Sequence, residues 1–132
     1  PNVGFYASTS LKCTAECCDV DTFGEVEGNY GNHFDTSTGV FTAPLDGLYL
    51  ISVSSGTSGR REIYCTRCYH KRNNQLYKKG DGTNLFDIYA SQTITRCIEM
   101  KAGDIVYLQS TTFHEDSEIW ISIHFSCCMI KR

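Results

Sequence analysis

The sequence has little of what marks several large classes of protein. No stretch approaches the ~20 consecutive apolar residues that a membrane-spanning helix needs, so we expect no membrane insertion. Basic residues are not in excess, because 12 Lys and Arg stand against 15 Asp and Glu and give a net charge of -3. That balance does not favour a nucleic-acid partner. Proline occurs only twice, and neither a linker nor a repeat interrupts the chain, so we predict a single domain over residues 1–132.

Catalytic motifs are absent as well. The sequence contains no Gly-x-Ser-x-Gly nucleophile elbow and no His-Glu-x-x-His zinc motif. There is no Asn-x-Ser/Thr acceptor for N-glycosylation either. We therefore predict that the protein is not an enzyme, and N-glycosylation gives no help in deciding where it resides.

Cysteine, by contrast, is abundant. The eight cysteines are Cys13, Cys17, Cys18, Cys65, Cys68, Cys97, Cys127 and Cys128. Cytosolic chains of this size rarely carry so many unless they bind metal, whereas oxidising compartments allow them. We therefore predict a secreted, extracellular protein in which all eight are disulfide candidates. The start at Pro1-Asn2-Val3 has no apolar segment of signal-peptide type, which we interpret as a mature or trimmed chain.

The spacing of Cys65 and Cys68 admits a zinc half-site, a redox pair or structural disulfides to distant partners. A zinc site needs a second half, for which adjacent cysteines such as Cys17-Cys18 are poor candidates. A redox pair needs a helix N-terminus to lower the thiol pKa, and this segment has the pattern of a strand. Structural pairing with distant cysteines is favoured, and a bond between subunits remains open.

Alternating apolar residues predict strands along most of the chain and almost no helix. Tyr49, Ile51 and Val53 share one face of a strand from Leu48 to Ser54. In the last strand Ile119, Ile121, Ile123 and Phe125 line one face, and Trp120, Ser122, His124 and Ser126 line the other. Residues 13–21 read as a loop and residues 27–32 as a turn. Eight or more short strands with turns between them predict an all-β sandwich or barrel.

The segment from His33 to Ser54, HFDTSTGVFTAPLDGLYLISVS, concentrates turn residues ahead of its most strand-like part. Gly39 suits a positive φ, Pro44 cannot donate to a strand ladder, and Asp46-Gly47 gives a second bend. These features predict a strand, a tight turn, a short strand, a kink and a long strand, in that order.

This segment closely resembles the signature of the complement component 1q (C1q) globular-head domain family. The matching positions are Phe34, Asp35, Thr38, Gly39, Phe41, Thr42, Pro44, Gly47 and Tyr49. VGFYAS near the start, EMKAGDIVYLQS at residues 99–110 and FSCCMI near the end resemble three further motifs of the family. The chain departs from the family pattern at Cys127, where the family has glycine.

The resemblance implies a ten-stranded jelly-roll sandwich of the C1q and tumour necrosis factor type, assembled as a compact homotrimer. Leu48 and Leu50 make the start of their strand apolar on both faces, and such a strand needs a second cover. We predict that sister subunits provide it and that Leu48, Leu50 and Trp120 lie in the trimer interface; a loop of the same chain is the alternative cover. First and last strands are neighbours in this fold, which suggests a disulfide between residues 13–18 and the last strand.

Basic residues cluster in one part of this net-acidic chain. Residues 60–79 hold seven of the 12 Lys and Arg, with tyrosines among them. Arginine pairs well with carboxylates and phosphates, and tyrosine covers the apolar face of a sugar. The predicted ligand-binding residues are Arg60, Arg61, Tyr64, Arg67, Tyr69, Lys71, Arg72, Tyr77, Lys78 and Lys79. The alternative is a solvated face that keeps strand edges from aggregating.

Two functions from different classes fit these features. The first is a secreted, lectin-like pattern-recognition module of innate immunity that binds anionic or sialylated glycans or microbial surfaces. The second is a trimeric signalling or extracellular-matrix assembly ligand that binds a protein receptor. We predict no cofactor other than calcium, which some relatives hold. Its candidate ligands are Asp104, Glu115 and Asp116, although such carboxylates more often belong to a solvated loop.

Overall fold

A computed structural model of the chain describes the backbone of residues 2–13, 17–20, 23–57, 61–68, 71–72, 75–76, 83–89, 92–112 and 119–132. The surroundings of side chains are described for residues 2–10, 20, 23–56, 85, 92–109 and 122–132. Within these ranges the regular structure is entirely strand. A helix long and apolar enough to cross a membrane is accordingly not found in the described part of the chain.

Thirteen strands occur in the described residues. They are β1 (Gly4–Cys13), β2 (Cys17–Val20), β3 (Glu25–Tyr30), β4 (Phe34–Asp35), β5 (Val40–Thr42), β6 (Gly47–Thr57), β7 (Arg61–Cys68), β8 (Lys71–Arg72), β9 (Gln75–Leu76), β10 (Thr83–Tyr89), β11 (Gln92–Met100), β12 (Ile105–Thr112) and β13 (Ile119–Lys131). The number exceeds the ten expected because several are pieces of two to four residues.

The strands form a two-layered antiparallel sandwich. One sheet has five strands in the order β11-β6-β13-β1-β3, and the other runs β10-β7-β12-β5-β4 with β2 also paired to β12. Strands β8 and β9 form a separate ribbon. First and last strands are neighbours, since β1 pairs with β13 from Gly4 opposite Cys128 to Cys13 opposite Ile119. The all-β jelly-roll prediction is confirmed.

Aromatic side chains from both layers meet in the core. Phe5 of β1 stacks on Phe34 of β4 with ring centroids 3.9 Å apart, and meets Phe125 of β13 edge-on at 5.0 Å. Stacked and edge-on ring pairs add to the stabilisation from buried area. The prediction that Tyr49, Ile51 and Val53 share one face of β6 is confirmed, and that face is the inner one, because all three are fully buried.

The turn residues ahead of β6 form a tight turn and a bend. The Asp35 carboxylate accepts hydrogen bonds from the backbone N–H and the hydroxyl of Ser37, at 2.9 and 2.6 Å, and Gly39 closes the turn with φ of 71°. After the short β5, the chain bends through Pro44 and Asp46, and the buried Tyr49 hydroxyl donates to the Leu45 carbonyl at 2.7 Å. The bend is therefore tied to the strand that follows it.

Two predictions of irregular structure were wrong in part. The segment 27–32 is largely strand, since β3 runs to Tyr30 and the turn is confined to Gly31 and Asn32, both with positive φ. The cysteine-bearing segment 13–21 contains β2, which pairs with β12. Short polar strands at an edge lack the apolar alternation from which strands are recognised, and so their sequences resemble loops.

Candidate interaction surface

The outer face of the five-stranded sheet carries the side chains that alternate with the core. We name this set the outer face, and its members are Gly4, Tyr6, Ser8, Glu25, Glu27, Leu48, Leu50, Ser52, Ser54, Thr93, Thr95, Cys97, Glu99, Ser122, His124, Ser126 and Cys128. The strand registers set them in rows across the sheet. One end of the outer face is apolar, and the other is rich in hydroxyl groups.

The apolar end is built around two leucines of β6. Leu48 and Leu50 are half-buried, whereas their neighbours Tyr49 and Ile51 on the opposite face are fully buried. Leu50 lies opposite Cys97 of β11 and Cys128 of β13. Leu48 and Leu50 thus point away from the core, and their place in a trimer interface stays a prediction. The chain leaves them partly open to solvent, which is what an interface with another molecule requires.

A shallow depression of about 670 Å³ adjoins these residues. It forms where Gly4 of β1 supplies no side chain, and its rim includes Leu50, Cys128 and the exposed rings of Tyr6 and Tyr30. A Cβ on Gly4 would lie 2.8 Å from the Cys127 carbonyl oxygen, so the close approach of β1 and β13 requires glycine here. The depression is thus a fixed property of the sheet.

The polar end is held together by hydrogen bonds between neighbouring strands. The Tyr6 hydroxyl and His124 Nδ1 are hydrogen-bonded at 2.6 Å, and the tautomer of the imidazole decides which of the two donates. Ser52 Oγ and Thr95 Oγ1 are 3.1 Å apart, and a similar hydroxyl pair joins β6 to β11 one row further along. These contacts orient the side chains while leaving them exposed, so this part of the outer face presents hydroxyl and imidazole groups.

The sequence did not reveal the pairing of Tyr6 with His124. Alternation on β1 and β13 places each residue on an outward face, but the two are 118 positions apart. Only the register, with Ser8 opposite His124 and Tyr6 opposite Ser126, makes them diagonal neighbours. Residue spacing carries no signal for such a contact, because register depends on how the whole ladder aligns.

Among the predicted trimer residue Trp120 and the three calcium candidates, only Asp104 has a described side chain. The side chain of Trp120 lies outside the described residues, as do Glu115 and Asp116. Asp104 is buried, and its Oδ2 accepts a hydrogen bond of 3.0 Å from the Lys101 backbone N–H. Its carboxylate therefore closes the turn before β12. In the part of the chain that the structure describes, no three candidate metal ligands cluster.

Half of the ten predicted ligand-binding residues belong to the other sheet and the ribbon. Five of them fall on described strands, with Arg61, Tyr64 and Arg67 on β7 and Lys71 and Arg72 on β8, although their side chains are outside the described set. The others are Arg60, Tyr69, Tyr77, Lys78 and Lys79, which lie outside the described residues. Because β7 is in the six-stranded sheet, Arg61, Tyr64 and Arg67 are separated from the two leucines by the thickness of the sandwich.

The cysteines also divide between the two sheets. Cys97, Cys127 and Cys128 are thiols, with Cys127 buried in the core and the other two exposed. The suggested disulfide from residues 13–18 to the last strand is therefore not confirmed, since Cys127 and Cys128 form no disulfide in the structure. Register gives the reason: Cys13 faces Ile119, at the opposite end of the ladder from Cys128. The side chains of Cys13, Cys17, Cys18, Cys65 and Cys68 lie outside the described set.

A sequence profile of the C1q domain matches residues 4–130 of the chain. The chain belongs to the C1q domain family. The match covers both sheets, from β1 to β13, so the outer face lies within the family domain. C1q domains are ligand-binding modules, and the proteins that carry them are typically extracellular.

Solved structures agree with this C1q assignment. The globular domain of zebrafish complement 1qA superposes with a TM-score of 0.72 at 16% identity, over 100% of this chain and 99% of that one. Eiger TNF from S. frugiperda superposes with a TM-score of 0.65 at 9% identity, over 98% and 93% of the two chains. At such identities the likeness concerns the fold, which is the jelly roll that C1q domains share with tumour necrosis factors.

Proposed function

We propose that this chain is the head of a secreted C1q-type protein and that it works as a homotrimer whose subunits meet through the outer face. The observation that carries the proposal is the partial exposure of Leu48 and Leu50 on the strand whose inner face forms the core. Membership of the C1q family supports the same assembly. The depression beside Gly4 gives a neighbouring subunit a surface into which side chains can pack.

The trimer is tested by placing a charge on the outer face. Leu50→Asp would bury an unpaired carboxylate in each interface, at a cost of several kcal/mol per copy. Sedimentation under reducing conditions should give about three chains of 14.8 kDa for the native protein and one chain for the variant. Thr36→Asp is the matched control, because it adds the same charge on the exposed β4–β5 turn. A native protein that sediments as a monomer at micromolar concentration contradicts the proposal.

We further propose that the head recognises anionic or sialylated glycans, as on microbial surfaces, through the basic cluster of residues 60–79. The concentration of seven basic residues there in a chain of net charge -3 supports this. A trimer would present three copies of the cluster, and simultaneous binding to a multivalent surface raises the apparent affinity by orders of magnitude. The chemistry is ionic pairing to carboxylate or sulfate groups, and it should weaken as salt rises.

The chain supplies its own control for this proposal. Lys71-Arg72 and Lys131-Arg132 are identical dipeptides, and the second pair is exposed at the end of β13. Replacing both members of Lys71-Arg72 by alanine should weaken binding to a sialylated glycan array at least tenfold, whereas the same change at Lys131-Arg132 should not. Arrays with and without calcium test the cation. An intact trimer with no glycan binding would favour the alternative, a signalling or matrix-assembly ligand for a protein receptor.

A further inference from the structure

Two exposed cysteines flank the leucine at the centre of the apolar end. Cys97 of β11 and Cys128 of β13 both lie directly opposite Leu50 of β6, so the three side chains form one row on the outer face. Both cysteines are thiols and both are exposed. Unpaired cysteines are among the most buried residues in proteins, and two of them open to solvent in one row require an explanation.

They cannot bond to each other within one chain. Because β6 lies between their strands, their Cα atoms are about two strand spacings apart, or roughly 10 Å. A disulfide needs Cα atoms within about 7 Å. The neighbouring Cys127 offers no alternative, since it points into the core on the opposite face of β13.

We propose that Cys97 of one subunit forms a disulfide with Cys128 of the next subunit, a step that rests on the proposed trimer. Symmetry favours this pairing over bonds between identical residues. In a ring of three, each subunit offers one patch to its neighbour on one side and a different patch to its neighbour on the other. Cys97 and Cys128 can then bond at each of the three contacts, whereas pairing among three copies of Cys97 would always leave one without a partner.

The oxidant is a small-molecule disulfide such as oxidised glutathione. The thiolate of one cysteine attacks that disulfide, which forms a mixed disulfide and releases one glutathione thiol. The thiolate of the other cysteine attacks the protein sulfur of the mixed disulfide and releases the second. Overall, two protein thiols lose two protons and two electrons and become one disulfide, and oxidised glutathione becomes two glutathione thiols.

The test is carried out on the full chain. The protein is equilibrated in a glutathione redox buffer, remaining thiols are blocked with iodoacetamide, and the sample is run on a denaturing gel without reductant. We expect a band of three chains that reductant converts to one. Trypsin cuts after Arg96, Lys101 and Lys131, so mass spectrometry should find peptide 97–101 linked to peptide 102–131.

Two variants determine which residues bond. Cys97→Ser and Cys128→Ser should each lose this linked peptide pair when prepared alone. Refolding the two variants together should restore it, and only as a covalent dimer, because in a mixed trimer just one contact brings the Cys97 of one variant against the Cys128 of the other. Persistence of the covalent trimer in either single variant would refute the pairing.

The outcome separates this inference from the trimer itself. If the native protein sediments as a trimer while both cysteines are fully alkylated in the oxidising buffer, the disulfide is refuted and the trimer stands. In that case Cys97 and Cys128 serve as small apolar side chains in the interface. If the reduced protein sediments as a monomer, the proposed trimer is refuted, and the disulfide that rests on it is refuted with it.

Discussion

The hydroxyl of Tyr49 is the feature by which the bend before β6 can be tested. It is fully buried and donates a 2.7 Å hydrogen bond to the Leu45 carbonyl. Tyr49→Phe keeps the ring and its packing but leaves that carbonyl without its donor. The bond is only partly buried, and losing one such hydrogen bond costs about 1 kcal/mol, so we expect the free energy of unfolding at pH 7 to fall by about that amount.

The same hydroxyl also predicts that the stability of the fold falls at high pH. Burial raises the pKa of Tyr49 above the ordinary value of 10.0, because an ionised phenolate would lose its hydration. The native state then holds its proton at pH values where the unfolded chain releases it. Its stabilising contribution is complete below about pH 10 and is lost as the pH rises through the higher native pKa.

Urea unfolding at fixed protein concentration checks both statements. The native protein should be more stable than Tyr49→Phe at pH 7, and the difference should shrink above pH 10. The other seven tyrosines are present in both proteins, so their titration cancels in the comparison. Equal stability at pH 7, or a difference that grows in alkali, would show that the hydrogen bond does not hold the bend.

Three further outcomes are expected. Asp35→Asn should lower the free energy of unfolding by less than about 1 kcal/mol at pH 7, since the residue is exposed. Hydrogen bonds from Ser37 lower the pKa of this carboxyl below its ordinary value of 3.8. In urea titrations the stability difference between native protein and variant should therefore vanish as the pH falls through that lowered pKa. Gly47→Ala should destabilise the fold by about 1–3 kcal/mol, because the added Cβ would lie 2.5 Å from a carbonyl oxygen of β13. Gly56→Ala is the control, since its Cβ would meet nothing within 4 Å. Equal melting temperatures of the two variants would contradict the prediction. Leu50→Ala should cost about 1 kcal/mol per subunit in assembly and little in folding, whereas Ile51→Ala should cost about 2–5 kcal/mol in folding. Sedimentation measures the loss of assembly, and urea unfolding measures the loss of folding stability.

Much of the fold could be predicted because alternation and turn chemistry are local. The buried set Tyr49, Ile51 and Val53 followed from a period of two, and the turn at Gly39 followed from a residue that tolerates positive φ. The short strand β3 could not be predicted, since most of its residues are polar and exposed, and Gly28 in its centre has a φ of 62°. Turn residues within a strand make it resemble a loop.

The candidate site was harder to predict than the fold. That Leu50 faces away from the core was readable from its own strand. That Cys97 and Cys128 share its row was not, because the row depends on the alignment of three strands that are distant in the sequence. A shift of one residue in either pairing would place a cysteine on the opposite face, and nothing local to these residues fixes the alignment.

Strand β12 shows that an apolar pattern on both faces does not by itself indicate assembly. Val106 and Leu108 enter the main core, while Ile105 and Tyr107 on the reverse side are buried beside Val40. The domain thus seals this strand without help from another molecule. Changes at Tyr107 should therefore alter the thermal stability of each subunit alone, and a survey of surface mutants for altered subunit exchange can leave β12 out and concentrate on β6.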